Sequence, residues 1–277
     1  MILSFHPMIE ADKNILCAGR EPGEIELSAI KEASAVILPQ SCRQSLYKMA
    51  SQNCQHVFPN YDAMYQFPGK TGQARLFQKY DVPHPKTIIF DSVDEWNRNC
   101  PIPILDFPCV FKFSWGGEGH TVFCIESSEK LFQMIDHARE YEKTGQKGFI
   151  IQELIPCKNR SLRIVIINRF LYGYWRVQEN SFYSNIARGA TIDNVSDPHL
   201  IESAKQAVIG FCDQTQINLA GFDFLFNETN TQPLFLEINY FFGRKGLGGA
   251  ETYYKLLISG IKDWLKMVDT QYNNKKF

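Results

Sequence analysis

The chain has no CxxC pair, no cluster of histidines, no long apolar run and almost no net charge, and each absence removes a class of function. Its eight cysteines, at 17, 42, 54, 100, 109, 124, 157 and 212, are scattered. That pattern supports neither a disulfide scaffold nor structural zinc. Most of them lie in or beside apolar runs, where cysteine acts as a small hydrophobe, so reduced core thiols are expected. Six dispersed histidines offer no His-based metal cluster. No apolar stretch is long enough to cross a bilayer, so no membrane partner is expected. The start, MILSFHPMIEADKNIL, lacks the basic opening and apolar run of a signal peptide, which predicts a cytoplasmic protein. A net charge of −1 leaves no broad basic face for nucleic acid, only room for a local basic groove. The Walker order GxxxxGK[ST] and a strand–GxGxxG–helix fingerprint are both missing.

What is present is an ordinary globular composition over 277 residues, 44% hydrophobic and 21% charged, enough for two or three subdomains. MILSF, NILCA, AVILP and HVFPN read as strands alternating with the helices ELSAIKEA and RQSLYKMASQ. Together they predict a small open α/β sheet ending near Asn60. Next come the helix GKTGQARLFQKY and the strands KTIIF, PCVFKFSW, HTVFCIES and GFIIQELI, with the helix SEKLFQMIDHAREYEK before the last strand. This is an α+β block whose Gly-rich turn joins two strands. SLRIVIINRFLYGYWRVQ predicts a hairpin turned at Asn168-Arg169. The helix HLIESAKQAVIGFCDQT, a strand pair and the helix AETYYKLLISGIKDWLKMV complete the chain.

The strand pair GFDFLFNETNTQPLFLEINYFFG carries three residues foreign to its apolar setting: Asp223, Glu237 and Asn239. Alternation puts Glu237 and Asn239 on one face. If Phe226 and Leu234 close the turn, Asp223 lies opposite Glu237, with about 5 Å between Cβ atoms. Two carboxylates so placed on a half-buried face need a cation or a proton, and Mg²⁺ accepts such oxygen ligands. Acids near strand ends also simply face solvent or pair with Lys or Arg, and the pair alone does not choose.

Three further stretches are open in the same way. In VFKFSWGGEGHTVF, Lys112 and Ser114 precede Gly116, Gly117 and Gly119, a turn whose backbone N–H groups can wrap a phosphate or serve only as a hairpin. FIIQELI ends on Gln152 and Glu153, where a strand end either offers free main-chain groups to an adenine edge or meets solvent. GRKGLGG places Arg244 and Lys245 before a helix, either to hold an anionic acceptor or as a solvated basic turn.

Taken in order, these pieces resemble the ATP-grasp superfamily. The order is Lys70 opening a helix, VFK with its Gly-rich turn, IIQELI, Arg163 in SLRIVI, SNIARGA, GFDFL and FLEIN. The likeness runs over roughly residues 60 to 250 and is nearest to the ribosomal-protein glutamate ligases and the lysine-biosynthesis ligases that act on a carrier protein. The resemblance implies an α/β (α+β) ATP-grasp fold. A small N-terminal domain would span residues 1–69, a subdomain with the phosphate flap 70–155, and a subdomain with the metal site 156–277.

The same resemblance implies roles. Lys70 and Lys112 would bind ATP phosphates, with Ser114, Gly116, Gly117 and Gly119 in the flap. Gln152, Glu153 and Leu154 would form the hinge against adenine, and Arg163 would belong to the nucleotide site. Arg176, Asn185 and Arg188 would face the terminal phosphate and the acyl substrate. Asp223, Glu237 and Asn239 would hold two Mg²⁺ (or Mn²⁺) ions, with Glu237 bridging.

Three departures from relatives stand out. Ser161 replaces an acid two places before Arg163, Gly69 replaces an Asp before Lys70, and YFFGRKGLGG replaces a short Ser/Thr/Pro/Gly turn. The implied activity is carboxylate–amine ligation through an acylphosphate, on small-molecule or peptide substrates, in a chain able to form homo-oligomers. A phosphotransferase that stops at a phosphorylated product and a non-catalytic ATP-binding module are the alternatives.

Overall fold

Three sheets built from short apolar strands organise the computed structural model, which describes all residues except 41, 100–104, 118, 158, 178–190, 228–230 and 275–277. The first contains β1 (Ile2–Ser4), β2 (Lys13–Asn14), β3 (Ala35–Ile37) and β4 (Val57–Phe58), all parallel in the order β2-β1-β3-β4. Helices α1 (Glu24–Glu32) and α2 (Gln44–Asn53) make the crossovers a parallel sheet requires. Of the strand expected over NILCA only Asn14 is in a strand, the two-residue β2. Its chain turns at once, with Ala18 in the left-handed region (φ 46°) and the Arg20 amide donating to the Cys17 carbonyl at 2.9 Å.

After a short helix α3 (Asp62–Gln66), α4 (Gly69–Lys79) leads into the second sheet. Its strands β5 (Thr87–Phe90), β6 (Cys109–Phe113), β7 (Val122–Ile125) and β8 (Phe149–Glu153) are antiparallel in the order β5-β8-β6-β7. Helices α5 (Val93–Asn99) and α6 (Ser128–Glu142) cover one face. Phe111 stacks on Phe149 with ring centroids 4.9 Å apart, and Phe90 stacks on the other side of Phe149 at 5.2 Å, so this sheet has its own aromatic core.

The third sheet is antiparallel, with β9 (Arg160–Ile167), β10 (Phe170–Val177), β11 (Thr191–Asp193), β12 (Leu219–Phe226) and β13 (Pro233–Asn239) in the order β11-β10-β9-β12-β13. The expected hairpin at Asn168-Arg169 is there, with Asn168 at φ 56°. Helix α7 (Pro198–Thr215) lies on one face and α8 (Ala250–Asn274) on the other. Alternation along β9 serves both. Leu162, Ile164 and Ile166 enter the core shared with α7, while Val165 and Ile167 enter the core shared with α8. The α7-side core is continuous with Leu3, Val36 and Leu46 of the first sheet and with Leu76 and Phe77 of α4. The helices α3 and α5 and the strand β11 are too short for periodicity to reveal.

Candidate active site: a basic cavity between two sheets

The β-pleat explains why so many polar groups meet. Residues paired across an antiparallel sheet point to the same face. Tyr174, Arg163, Asp223 and Glu237 form one such row across β10, β9, β12 and β13. Arg176 and Ser161 are paired one step to one side, and Gly221 and Asn239 one step to the other. The lower part of this face is the apolar core under α8, so these groups occupy its polar end. Gly221 keeps the row open: a Cβ there would stand 3.3 Å from both Arg163 Cδ and Phe242 Cβ.

Asp223 does oppose Glu237, but by a different route from the one expected. The turn is closed by Phe226 and Pro233, one residue off, and a bulge between Phe224 and Asp223 corrects the register. Leu236 is the extra residue. It lets Leu236 and Glu237 both line the cavity while Phe235 and Ile238 on either side remain in the core.

Asp223 is buried, and both its oxygens are engaged. Oδ1 accepts from Arg163 Nε at 2.7 Å. Oδ2 accepts from the Arg163 guanidinium at 2.7 Å, lies 2.9 Å from Arg176, and accepts from the Asn239 amide at 3.0 Å. Burial alone would raise its pKa, but the two guanidiniums overcome that and hold the carboxyl below its ordinary value. Arg163 is raised because Asp223 outweighs the cost of its burial. Arg176 is lowered because, for it, burial wins. Arg176 also donates to Ser161 Oγ at 2.8 Å. Ser161 therefore needs no charge: the one buried carboxylate already serves both arginines.

Across the cavity stand the two lysines. Lys112, buried on β6, donates to Gln152 Oε1 at 2.6 Å; Gln152 Nε2 donates to Thr87 Oγ1 at 2.8 Å, and Thr87 donates to the Pro85 carbonyl at 2.7 Å. This chain orients the ammonium with neutral groups only. Burial pushes the lysine down to about 8, with neighbouring Lys70 acting the same way and Glu237 and Asp223 opposing. Lys70 is also lowered by burial, against the pull of Glu237. Its ammonium donates to the carbonyls of Gly116 at 3.0 Å and Trp115 at 3.4 Å, so the Gly-rich turn meets this lysine through carbonyls rather than N–H groups.

Gly69 explains one departure. It sits at φ 67°, where a Cβ would come within 2.5 Å of Ser114 Oγ, and the Lys70 amide donates to the Ser114 carbonyl at 2.9 Å. The start of α4 is thereby pressed onto the end of β6 as no side chain would permit.

One cavity of about 800 Å³ joins these parts. Lys70, Lys112, Gly117 and Gly119 line one side, and Arg163, Arg176, Asp223, Glu237 and Asn239 line another. Gln152, Glu153 and Leu154 also line it, as do Arg244, Lys245 and the exposed Phe241. Ser114 and Gly116 sit behind the lining, Ser114 against Thr71 and Gly116 against Thr121. Asn185 and Arg188 fall outside the described residues. The Glu153 N–H is not free for an adenine edge as expected. It donates to the Lys86 carbonyl at 2.9 Å, and the Glu153 side chain accepts from the Lys86 amide at 3.2 Å. Arg244 is stacked over Tyr254 and Tyr253, with centroids 4.7 and 5.0 Å away. Among the described lining residues six are basic and three acidic, in a chain whose net charge is −1. Sequence reading missed Gln73, Thr87 and Phe241. Nothing in their local patterns marks them.

The donor chemistry suits a hard cation. Glu237 and Asn239 present oxygen to the cavity, the Asn239 amide nitrogen being the end turned to Asp223. Asp223 would join them only if a guanidinium shifted away from it.

Comparisons with known proteins agree with this fold. The RimK-like ATP-grasp domain matches residues 69–259, more than half of the chain. A glutamate–LysW ligase, ArgX, of Sulfurisphaera tokodaii is 24% identical over 203 residues, covering 70% of each chain. An uncharacterized protein (MG012 homolog) of Mycoplasma pneumoniae is 28% identical over 136 residues, 48% of this chain and 43% of that protein, so the chain spans less than half of that relative. Among solved structures, a RimK domain ATP-grasp protein from Sphaerobacter thermophilus superposes with a TM-score of 0.63 at 12% identity, covering 94% of this chain and 98% of that one. D-alanine–D-alanine ligase from Bacillus anthracis, complexed with ATP, gives 0.65 at 15% identity, with coverages of 94% and 87%. With the fold, the order of its motifs and the match in accord, the chain belongs to the RimK-like ATP-grasp family.

Proposed function

We propose that this chain is an ATP- and Mg²⁺-dependent carboxylate–amine ligase. The observation that carries the proposal is the cavity itself: a basic excess in a nearly neutral chain, with two buried lysines facing an opposed carboxylate pair. Such a site suits a polyphosphate whose charge is shared between cations of the protein and a bound metal.

In this reading Lys70 and Lys112 hold the phosphates, and the base lies against Gln152–Leu154. Glu237 and Asn239, joined by Asp223, hold the metal, two ions in the full complement and Mn²⁺ able to replace Mg²⁺. The metal supplies charge neutralisation at the phosphates. A carboxylate oxygen of the substrate attacks the γ-phosphorus, the bond to the β–γ bridging oxygen breaks, and ADP leaves with that electron pair. An amine nitrogen then attacks the acyl carbon, phosphate departs, and the amine proton passes to solvent. Arg176 and Arg163, already beside one another, would offset the charge of the transferring group once Arg176 is released from Asp223. Arg244 and Lys245 would meet an anionic group of the substrate. Glutamate and a LysW-like protein are the first candidate substrates, because those two are named for the Sulfurisphaera relative.

The test follows ADP and free phosphate together, with Mg-ATP, amino acids, dipeptides and acidic peptide tails. Phosphate release that requires both a carboxylate and an amine is the expected result. Glu237→Gln should lower kcat/KM by on the order of 10²-fold without lowering the melting temperature. ADP without free phosphate would favour a phosphotransferase. Tight nucleotide binding with no turnover across these pools would favour a binding module.

A further inference from the structure

The strand that carries Glu237 and Asn239 is the last in its sheet. An edge strand has peptide groups directed outward with no neighbouring strand to bond, and a bulge loosens it further. Both conditions hold at β13, and both fall on the residues that the proposed function uses most.

Helix α4 covers this edge, and Gln73 makes the contact. Its Nε2 donates to the Ile238 carbonyl at 2.8 Å, and its Oε1 accepts from the Ile238 amide at 2.9 Å. A primary amide offers an N–H donor and a C=O acceptor side by side, so Gln73 meets the N–H and C=O of one edge residue, as a residue of a missing sixth strand would. The peptides it grips are the one joining Glu237 to Ile238 and the one joining Ile238 to Asn239. On the other side of Leu236, the Phe235 amide donates to the Pro83 carbonyl at 2.8 Å, so the bulge is held from both sides. Gln73 lies one helical turn after Lys70, and both line the cavity.

We infer that Gln73 is a positioning residue that fixes the metal-ligand pair Glu237 and Asn239 relative to the phosphate-side Lys70, by completing the hydrogen bonding of β13 at its bulge. The inference rests on the nucleotide and metal reading of the cavity. A neighbouring β-strand could satisfy the same edge, but it would bring no lysine with it. An amide borrowed from α4 couples the two walls of the site, so a displacement of one wall is transmitted to the other.

The test measures Mn²⁺ binding by electron paramagnetic resonance in the presence of a non-hydrolysable ATP analogue. It compares the wild type, Gln73→Met (same length, no amide) and Gln73→Glu (acceptor kept, donor lost). Metal-free binding of the analogue and the ligand-free melting temperature are recorded for each. The expected result is a loss of Mn²⁺ affinity of about 10- to 100-fold in Gln73→Met, as for residues that orient ligands without touching the metal. Metal-free analogue binding should change less than about twofold, and Gln73→Glu should move in the same direction as Gln73→Met. A lower melting temperature with unchanged Mn²⁺ affinity in either folded variant would make Gln73 a structural edge cap and overturn the inference alone. Failure of the wild type to bind Mn²⁺ with the analogue would overturn the nucleotide reading and this inference with it.

Discussion

At the scale of single residues, the most consequential group is Asp223, a buried carboxylate shared by two buried arginines. Removing its charge leaves both guanidiniums uncompensated, so Asp223→Asn should destabilise the fold by about 3–5 kcal/mol at neutral pH. The folded pKa is depressed, so this contribution is complete above the ordinary Asp value of about 3.9 and is lost as pH falls toward the folded value. The stability gap between the two proteins in thermal melts should therefore be constant from about pH 7 to pH 5 and begin to narrow below about pH 4. Lys112 gives the opposite kind of pH dependence. Its ammonium is held near a pKa of about 8 without a phosphate, and a phosphate favours the charged form. Nucleotide affinity should fall as pH rises above that value, with proton uptake on binding. Calorimetry in two buffers of different ionisation enthalpy reads this directly, and Lys112→Arg should reduce the uptake.

At the scale of elements, the start of α4 and the bulge of β13 decide where the site residues stand. Gly69→Ala would force a Cβ into Ser114 at a positive φ, and we expect a loss of about 1–3 kcal/mol together with weaker nucleotide binding, because Lys70 is the next residue. Chemical denaturation and a binding isotherm on the same variant check both. Much of this architecture is legible in the chain. The alternating apolar runs predict nearly every strand, the sites of the Asn168-Arg169 and Gly-rich turns are correct, and foreign acids in apolar strands point to Asp223 and Glu237. The bulge is not legible, since Leu236 is one more apolar residue in an apolar strand. The expected register reached the right pairing only because a misplaced turn and an unseen extra residue cancelled. The double engagement of Asp223 was equally hidden: Arg163, Arg176 and Asp223 are far apart in sequence and meet only through strand order. Gln73 sits in a plain amphipathic helix, and its partners are main-chain atoms, which leave no trace in side-chain pattern.

At the scale of the whole molecule, the cavity meets the core under α8 on the face that carries its acids, and two further hydrophobic cores support its walls. One belongs to the second sheet alone, and the other unites the first sheet, α4 and the third sheet. A ligand that bridges lysines of one wall and acids of the other stabilises the folded chain by mass action, about 2.7 kcal/mol at a hundredfold excess over Kd. Mg-ATP should therefore raise the melting temperature by several degrees, and ATP with a chelator by less. The Gly-rich turn offers a way to watch the first wall in real time. The ammonium of Lys70 is bound to the carbonyls of Trp115 and Gly116, and the Trp115 indole leans on Phe113 and Tyr141, with centroids 4.7 and 5.4 Å away. An anion that draws Lys70 to itself releases those carbonyls. Of the other three tryptophans, Trp175 and Trp264 lie in the other two cores, and Trp96 shares the core of the second sheet with Trp115, so a Trp96→Phe background isolates the signal. Trp115 is thus a built-in optical reporter, whose emission would register phosphate arrival at the lysine without any added dye.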